Sequence, residues 1–242
     1  MAMYQKRFYR EIVKEKDLVG FRVSCYDSDL QIYGERELRK EALLSIKKAR
    51  ESLDVYIQRH PEFFSALKPL PLDETADDLI QGMMRGGEIA SVGPMAAVAG
   101  AIAEFAVRAL SDHMKEVIIE NGGDIFMISH KPRVVSVFAG KSPLSLKVGI
   151  KVPPHPEGVG ICTSSGTVGH SISFGKSDAT VVVADNTAIA DACATAIGNM
   201  IKTPEDIKTG LQRAEKINEI RGALVVIGEH LGAWGEIELV RL

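Results

Sequence analysis

Between residues 17 and 34 apolar and polar positions alternate. The stretch FRVSCYDSDLQIYG puts Phe21, Val23 and Cys25 on one face, the period of a half-buried strand. The turn-rich run Tyr26-Asp27-Ser28-Asp29 divides it and predicts a hairpin. Residues 4–12 alternate in the same way and are expected to be a strand. From Glu35 to Arg59 the period lengthens. Leu38, Ala42, Ile46, Ala49, Leu53 and Ile57 form one stripe, as in an amphipathic helix. Pro61 ends it, and FFSALKPLPLDETADD reads as an irregular connector into a short helix around Asp77–Arg85. The pair Gly86-Gly87 is expected to break the chain there.

The remainder mixes both periods. SVGPMAAVAGAIAEFAVRALSDH reads as a loop into a helix, and EVIIENGGDIFMIS as strand, glycine turn, strand. RVVSVFAG and LSLKVGIKV are two further strands joined by a turn over 140–143, and PPHPEGVG is expected to be a rigid loop. ICTSSGTVGHSISF reads as one strand or two, and DATVVVAD as a buried strand feeding a helix over 187–198. Residues 204–217 predict an amphipathic helix, and ALVVIGEHLGAWGEIELVRL predicts two closing strands. Strands and helices interleaved with many hairpin-type connections point to an α+β fold with a mixed, largely antiparallel sheet. The 242 residues are expected to form a single domain.

Composition narrows the partners. A net charge of −3 offers no bulk attraction for nucleic acid. The N-terminal bases Lys6, Arg7, Arg10, Lys14 and Lys16 alternate with acids and read as a solvated face. Three cysteines, Cys25, Cys162 and Cys193, lie far apart without a CxxC, so reduced thiols and a cytoplasmic location are expected. MAMYQKRFYREIV lacks the apolar core of a signal peptide. No run is expected to reach the length of a membrane span. MAAVAGAIAEFAVRAL, interrupted by Glu104, reads as a packed helix, either inside the fold or against a twin subunit in a homo-oligomer.

The chemistry concentrates in ADNTAIADACATAIGN, residues 184–199. Asn186 or Thr187 can cap a helix whose other side chains are mostly alanine. Asp191 and Thr195, four apart, share its face. A carboxylate and a hydroxyl beside closely approaching backbone suit a hard cation such as Mg²⁺. Alternatively, Thr195 bonds back to a helix carbonyl and Asp191 caps a neighbouring loop.

Three small-residue turns are candidate ligand contacts. Ser91 and Gly93, with Ala96, stand at a helix mouth suited to phosphate. Gly122, Gly123 and Asp124 form a turn whose carboxylate could accept from a ribose or an amine. Thr163, Ser164 and Ser165 precede His170. Cys162 and Cys193 are expected to pack as small apolar groups, and Trp234 to anchor its strand.

In order and content these motifs resemble the flavin transferases of the ApbE type. ADACAT (190–195) fits that family's A-D-A-x-A-T helix at every fixed position. NGGDI (121–125) fits its L-G-G-[DN]-I turn apart from the first residue, and VGPMAA (92–97) fits its G-G-I-A-K-G helix start loosely. The resemblance covers roughly residues 90–200. It implies an ApbE-like fold, FAD as ligand, and Mg²⁺ held by Asp191, Thr195 and the carbonyl of Ala96. It further implies cleavage of the FAD pyrophosphate with transfer of FMN to a Thr or Ser of an acceptor protein. The family's Lys is here Ala97, and its H-x-I-D-P-x-T-G stretch is replaced by GHSISFGKSDA (169–179), where His170 stands as the candidate catalytic residue. The resemblance thus implies a Mg²⁺-dependent enzyme on FAD or a related nucleotide pyrophosphate. The alternative is a flavin- or nucleotide-binding protein, or a scaffold, of the same fold without chemistry.

Overall fold

The structure is a computed structural model that describes residues 17–168 and 173–242. The strand expected over 4–12, the N-terminal bases and His170 lie outside the described residues. The chain opens with a hairpin of β1 (Val19–Cys25) and β2 (Ser28–Gly34). Cys25 pairs with Ser28, so the turn is the two residues Tyr26 and Asp27. Helices α1 (Arg39–Arg59), α2 (Glu62–Ser65) and α3 (Asp78–Ala90) follow. A 3-10 turn (Pro94–Ala97) leads into α4 (Val98–Ser111).

Strands β3 (Val117–Asn121), β4 (Asp124–Ser129), β5 (Arg133–Ser136), β6 (Val148–Val152), β7 (His155–Ser164) and β8 (Ala179–Ala184) come next. Helices α5 (Thr187–Met200) and α6 (Asp206–Glu215) precede β9 (Ile220–Ile227), β10 (His230–Gly235) and β11 (Glu238–Arg241). Eight strands pair in the order β1-β2-β3-β4-β7-β8-β9-β10, and β11-β6-β5 form a smaller sheet. Every neighbouring pair is antiparallel, so the fold is α+β as the sequence predicts.

Three layers explain the burial pattern. Helices cover one face of the large sheet, and the small sheet covers part of the other. In β8, Val182 and Ala184 pack under the helices with Cys162, Ala188 and Ala223. Val181 and Val183 face the opposite way, among Ile150, Val152, Ile161 and Leu224. Buried on both faces, β8 reads as the unbroken apolar run TVVVA rather than as an alternation. Burying apolar surface contributes about 25 cal/mol per Å², so each valine of this doubly covered strand adds to the stability of the fold.

Several local expectations are corrected. Gly86-Gly87 does not break the chain, because α3 runs through it to Ala90. The reason is packing: a Cβ built on Gly86 would lie 2.6 Å from the carbonyl oxygen of Ala188, so the glycine lets α3 and α5 touch backbone to backbone. PPHPEGVG is not a loop beyond its first two residues, since β7 begins at His155. Its ladder with β4 shifts register between Met127 and Ser129, and Pro156 sits in that irregularity, where its missing N–H is tolerated. The C-terminal stretch makes three strands, not two. The segment Pro94–Ser111 is long and apolar enough to cross a membrane by length and composition, contrary to expectation. Here its Ala101, Ile102, Ala103, Ala106, Val107 and Leu110 are buried in the core.

Candidate functional site

The first turns of α4 and α5 meet at the C-terminal end of β3. Asn186 caps α5, its Oδ1 accepting from the N–H of Ile189 at 3.0 Å. One turn on, Asp191 is buried and its Oδ2 accepts from the N–H of Gly100 at 2.9 Å. Of the two readings of Asp191, the alternative had it capping a neighbouring loop; the backbone it caps is the first turn of helix α4. Gly100 permits the contact: a Cβ there would lie 2.7 Å from Thr187 O and 3.0 Å from Asp191 Cβ. Alanines at 190, 192 and 194 are fully buried around the carboxylate. Thr195 is half-buried one turn further along the helix.

The glycine turn joins this junction from the other side. Gly122 and Gly123 have φ of 72° and 107°, so both central residues of the β3–β4 hairpin need the left-handed region. Asn121 donates from Nδ2 to the carbonyl oxygen of Ala99 at 3.0 Å, and Gly123 N–H donates to Glu120 Oε1 at 2.7 Å. Asp124 is buried and accepts from the N–H of Thr163 at 3.1 Å, tying β4 to β7. It faces inward and is not an open acceptor for a ribose.

Two buried carboxyls thus stand close enough to oppose each other's ionisation. Burial pushes the Asp191 carboxyl up to about 7, and the backbone N–H groups of Gly100 and Ala99 support its charge. Asp124 is raised well above the usual carboxylate range, first by burial and then by the charge of Asp191. Burial also raises the thiol of Cys162, beside both acids. Its Sγ lies 3.5 Å from the carbonyl oxygen of Thr187. Cys162 and Cys193 are buried and free, packing as expected.

The other predicted residues are distributed less tightly. Gly93 is buried and caps the 3-10 turn, with its carbonyl accepting from Ala96 N–H at 3.1 Å. Ser91 is exposed at the end of α3 with φ of 62°. Thr163 and Ser164 are half-buried at the end of β7. Ser165 is turned inward on its own loop, where its Oγ accepts from the N–H groups of Thr167 and Val168 at 3.1 and 3.0 Å. Glu104, Asn121 and Gly100 were not singled out from the sequence as site residues. Glu104 carried one signal, as the lone acid in a largely apolar helix, and Asn121 another, as the polar residue directly before the glycine pair.

The topology and this junction of two helix N-termini over a glycine hairpin define an α+β protein with a helix-covered antiparallel sheet. Residues 10–228 match the family described as AbpE bacteria, and the chain belongs to that family. It is 46% identical over 198 residues to a UPF0280 protein of Methanococcus aeolicus, covering 80% of each chain. It is 40% identical over 206 residues to a UPF0280 protein of Methanosarcina barkeri, covering 84% of this chain and 80% of that one.

Among solved structures the fold is similar to that of the flavin transferase ApbE from Vibrio cholerae. The TM-score is 0.61 at 12% identity, covering 90% of this chain and 96% of that one. The apo form of Pseudomonas stutzeri flavinyl transferase ApbE gives a TM-score of 0.59 at 14% identity, with 90% and 94% covered. At these identities the likeness establishes the fold.

Proposed function

We propose that this chain is a Mg²⁺-dependent enzyme acting on FAD or a related nucleotide pyrophosphate, by flavin transfer or by hydrolysis. The observation that carries the reading is the buried carboxyl of Asp191, held at the first turn of α4 with no cationic side chain among the described residues supporting its charge. An isolated buried carboxylate is strongly disfavoured, and a cation would remove that penalty. The donor set fits Mg²⁺: Asp191, Thr195 and the carbonyl of Ala96 are hard oxygen ligands. Among the described residues no cluster of three or more His, Cys, Asp or Glu could hold a metal. The ion would therefore take its remaining ligands from water and phosphate. When bound it would neutralise charge on the pyrophosphate.

The chain's own groups argue for the same dependence. Helix N-termini ordinarily attract phosphate, yet here the N–H groups of Gly100, Thr187 and Ile189 already donate to Asp191, Glu104 and Asn186. With these donors spent, an anion finds little to bind at the junction without a cation. Gly122 and Gly123 leave backbone open to a flat or phosphorylated ligand. For a transfer reaction the second substrate is a hydroxyl of an acceptor protein, and His170 is the proposed proton carrier. The binding-only alternative draws on the absent H-x-I-D-P-x-T-G stretch.

The test is paired binding of FAD and of ADP, with and without Mg²⁺, to the parent and to Asp191→Asn. The Mg²⁺-dependent part of the affinity is expected to vanish in the variant, while any metal-free binding stays or improves. Equal Mg²⁺ dependence in both proteins would overturn the reading and leave Asp191 as a cap. Release of FMN or AMP from FAD separates enzyme from binder.

A further inference from the structure

Helices α4 and α5 cap each other. Asp191 of α5 accepts from Gly100 N–H in the first turn of α4, at 2.9 Å. Glu104 of α4 accepts from Thr187 N–H, the first residue of α5, with its Oε2 at 2.8 Å. Gly100 and Glu104 are four residues apart, as are Thr187 and Asp191. The two contacts therefore lie about one turn, or roughly 6 Å, apart along antiparallel helix segments. Each places a carboxylate at the positive end of the partner's dipole.

Glu104 is itself held. Its Oε1 pairs with Arg108 at 3.2 Å. Arg108 donates to the carbonyl oxygen of Glu157 at 2.9 Å and lies over the ring of Phe126, 4.8 Å from the centroid. Thr187 supplies a second sign that α5 is located through its backbone. Its Oγ1 is buried without a partner among the described residues, so no described hydrogen bond of its hydroxyl sets the position of the helix. A slide of α5 by one residue, about 1.5 Å, would break both caps.

We propose that Glu104 is the positioning residue for Asp191: it fixes the axial place of α5 so that the Asp191 carboxylate meets the first turn of α4 in the orientation a cation–phosphate ligand needs. The part of this that concerns the ligand rests on the function proposed above, whereas the positioning does not.

The experiment follows backbone amide hydrogen exchange in the ligand-free full chain for the parent, Glu104→Ala and Glu104→Gln. In Glu104→Ala the amide of Gly100, although it is not bonded to Glu104, is expected to exchange about tenfold faster. Amides of β3 and β4 should keep their rates. Glu104→Gln, whose amide oxygen can still accept from Thr187, should restore protection at Gly100. An unchanged Gly100 rate in Glu104→Ala, or a uniform rise across β3 and β4, would overturn the proposal. ADP affinity with and without Mg²⁺ is measured on the same three proteins. Loss of the Mg²⁺-dependent part in the alanine variant with rescue in the glutamine variant extends the positioning to the ligand. A parent without any Mg²⁺-dependent binding defeats the proposed function, and the exchange rates still decide the role of Glu104.

Discussion

Asn121 reaches from the end of β3 to the first turn of α4, where its Nδ2 donates to the carbonyl oxygen of Ala99 at 3.0 Å. On the next residue of α4 the N–H of Gly100 is taken by Asp191. A strand and a helix therefore grip successive backbone groups of one turn.

Replacing Asn121 by Ala removes the donor and is expected to lower stability by about 1 kcal/mol, the net worth of such a bond. Asn121→Asp should be worse, by about 1–3 kcal/mol, because it sets an acceptor against a carbonyl beside two other acids. Urea unfolding midpoints at neutral pH check both values. Equal midpoints for the parent and Asn121→Asp would mean that the contact contributes nothing.

Gly86→Ala tests the packing of α3 on α5. In a solvated helix this change would stabilise by about 1 kcal/mol. Here the new methyl meets the Ala188 carbonyl, and overpacking of about 1–3 kcal/mol should exceed that gain. Ala192→Leu and Ala194→Leu, both at fully buried positions, are expected to lose a similar amount. Thermal midpoints decide, and a rise for Gly86→Ala would contradict the backbone contact.

The third prediction concerns pH. Glu116 is buried, which alone would raise its carboxyl. Hydrogen bonds from Arg133, Ser129 and the N–H of His130 outweigh burial and hold it below its ordinary value of 4.5. The unfolded chain then binds more protons than the native one just below that value. The contribution of Glu116 is thus complete above about pH 4.5 and is lost as pH falls. Glu116→Gln should flatten acid unfolding in that range, followed by circular dichroism. Arg133→Met, which strands the buried carboxylate, should cost about 3–5 kcal/mol at neutral pH. A parent and a Glu116→Gln variant with the same acid profile would refute the assignment.

Gly123→Ala forces a side chain into a backbone with φ of 107° and is expected to cost about 1–3 kcal/mol. Because Asp124 follows directly, the variant should also disturb its bond to Thr163 N–H. A shifted amide resonance for Thr163 would report this, and an unshifted one would show that the two are independent.

How much of this was legible in the sequence depends on the range of the interaction. Local pattern located α1 by its period, the first hairpin by alternation with a turn-rich break, and β8 by an unbroken apolar run, because each writes its burial into neighbouring positions. Asp191 and Thr195 were legible as a pair because helix geometry stacks residues four apart. The roles of Glu104 and Asn121 were not, because their partners are single backbone groups 83 and 22 residues away that leave no pattern. Gly86-Gly87 misled for a related reason. Local propensity marks glycine as a breaker, whereas the contact that keeps it helical lies about a hundred residues on, at Ala188. In PPHPEGVG the prolines suggested a loop, and the register shift that accommodates them is a property of the pairing with β4.

The small sheet has a consequence for solubility. Between β4 and β7, which are neighbours in the large sheet, the chain makes an excursion through β5 and β6, and β11 closes it by pairing with β6. Beneath it, Val137, Ala139, Ile150 and Val152 cover apolar side chains on the far face of the large sheet, among them Val159, Val181 and Leu224. None of the candidate site residues belongs to the excursion. Trimming the chain before Glu238 should therefore leave the helix junction formed while loosening the cover. What emerges is a broad apolar patch of the kind that drives self-association. Damage to the last strand is therefore expected to show as precipitate before it shows as lost chemistry.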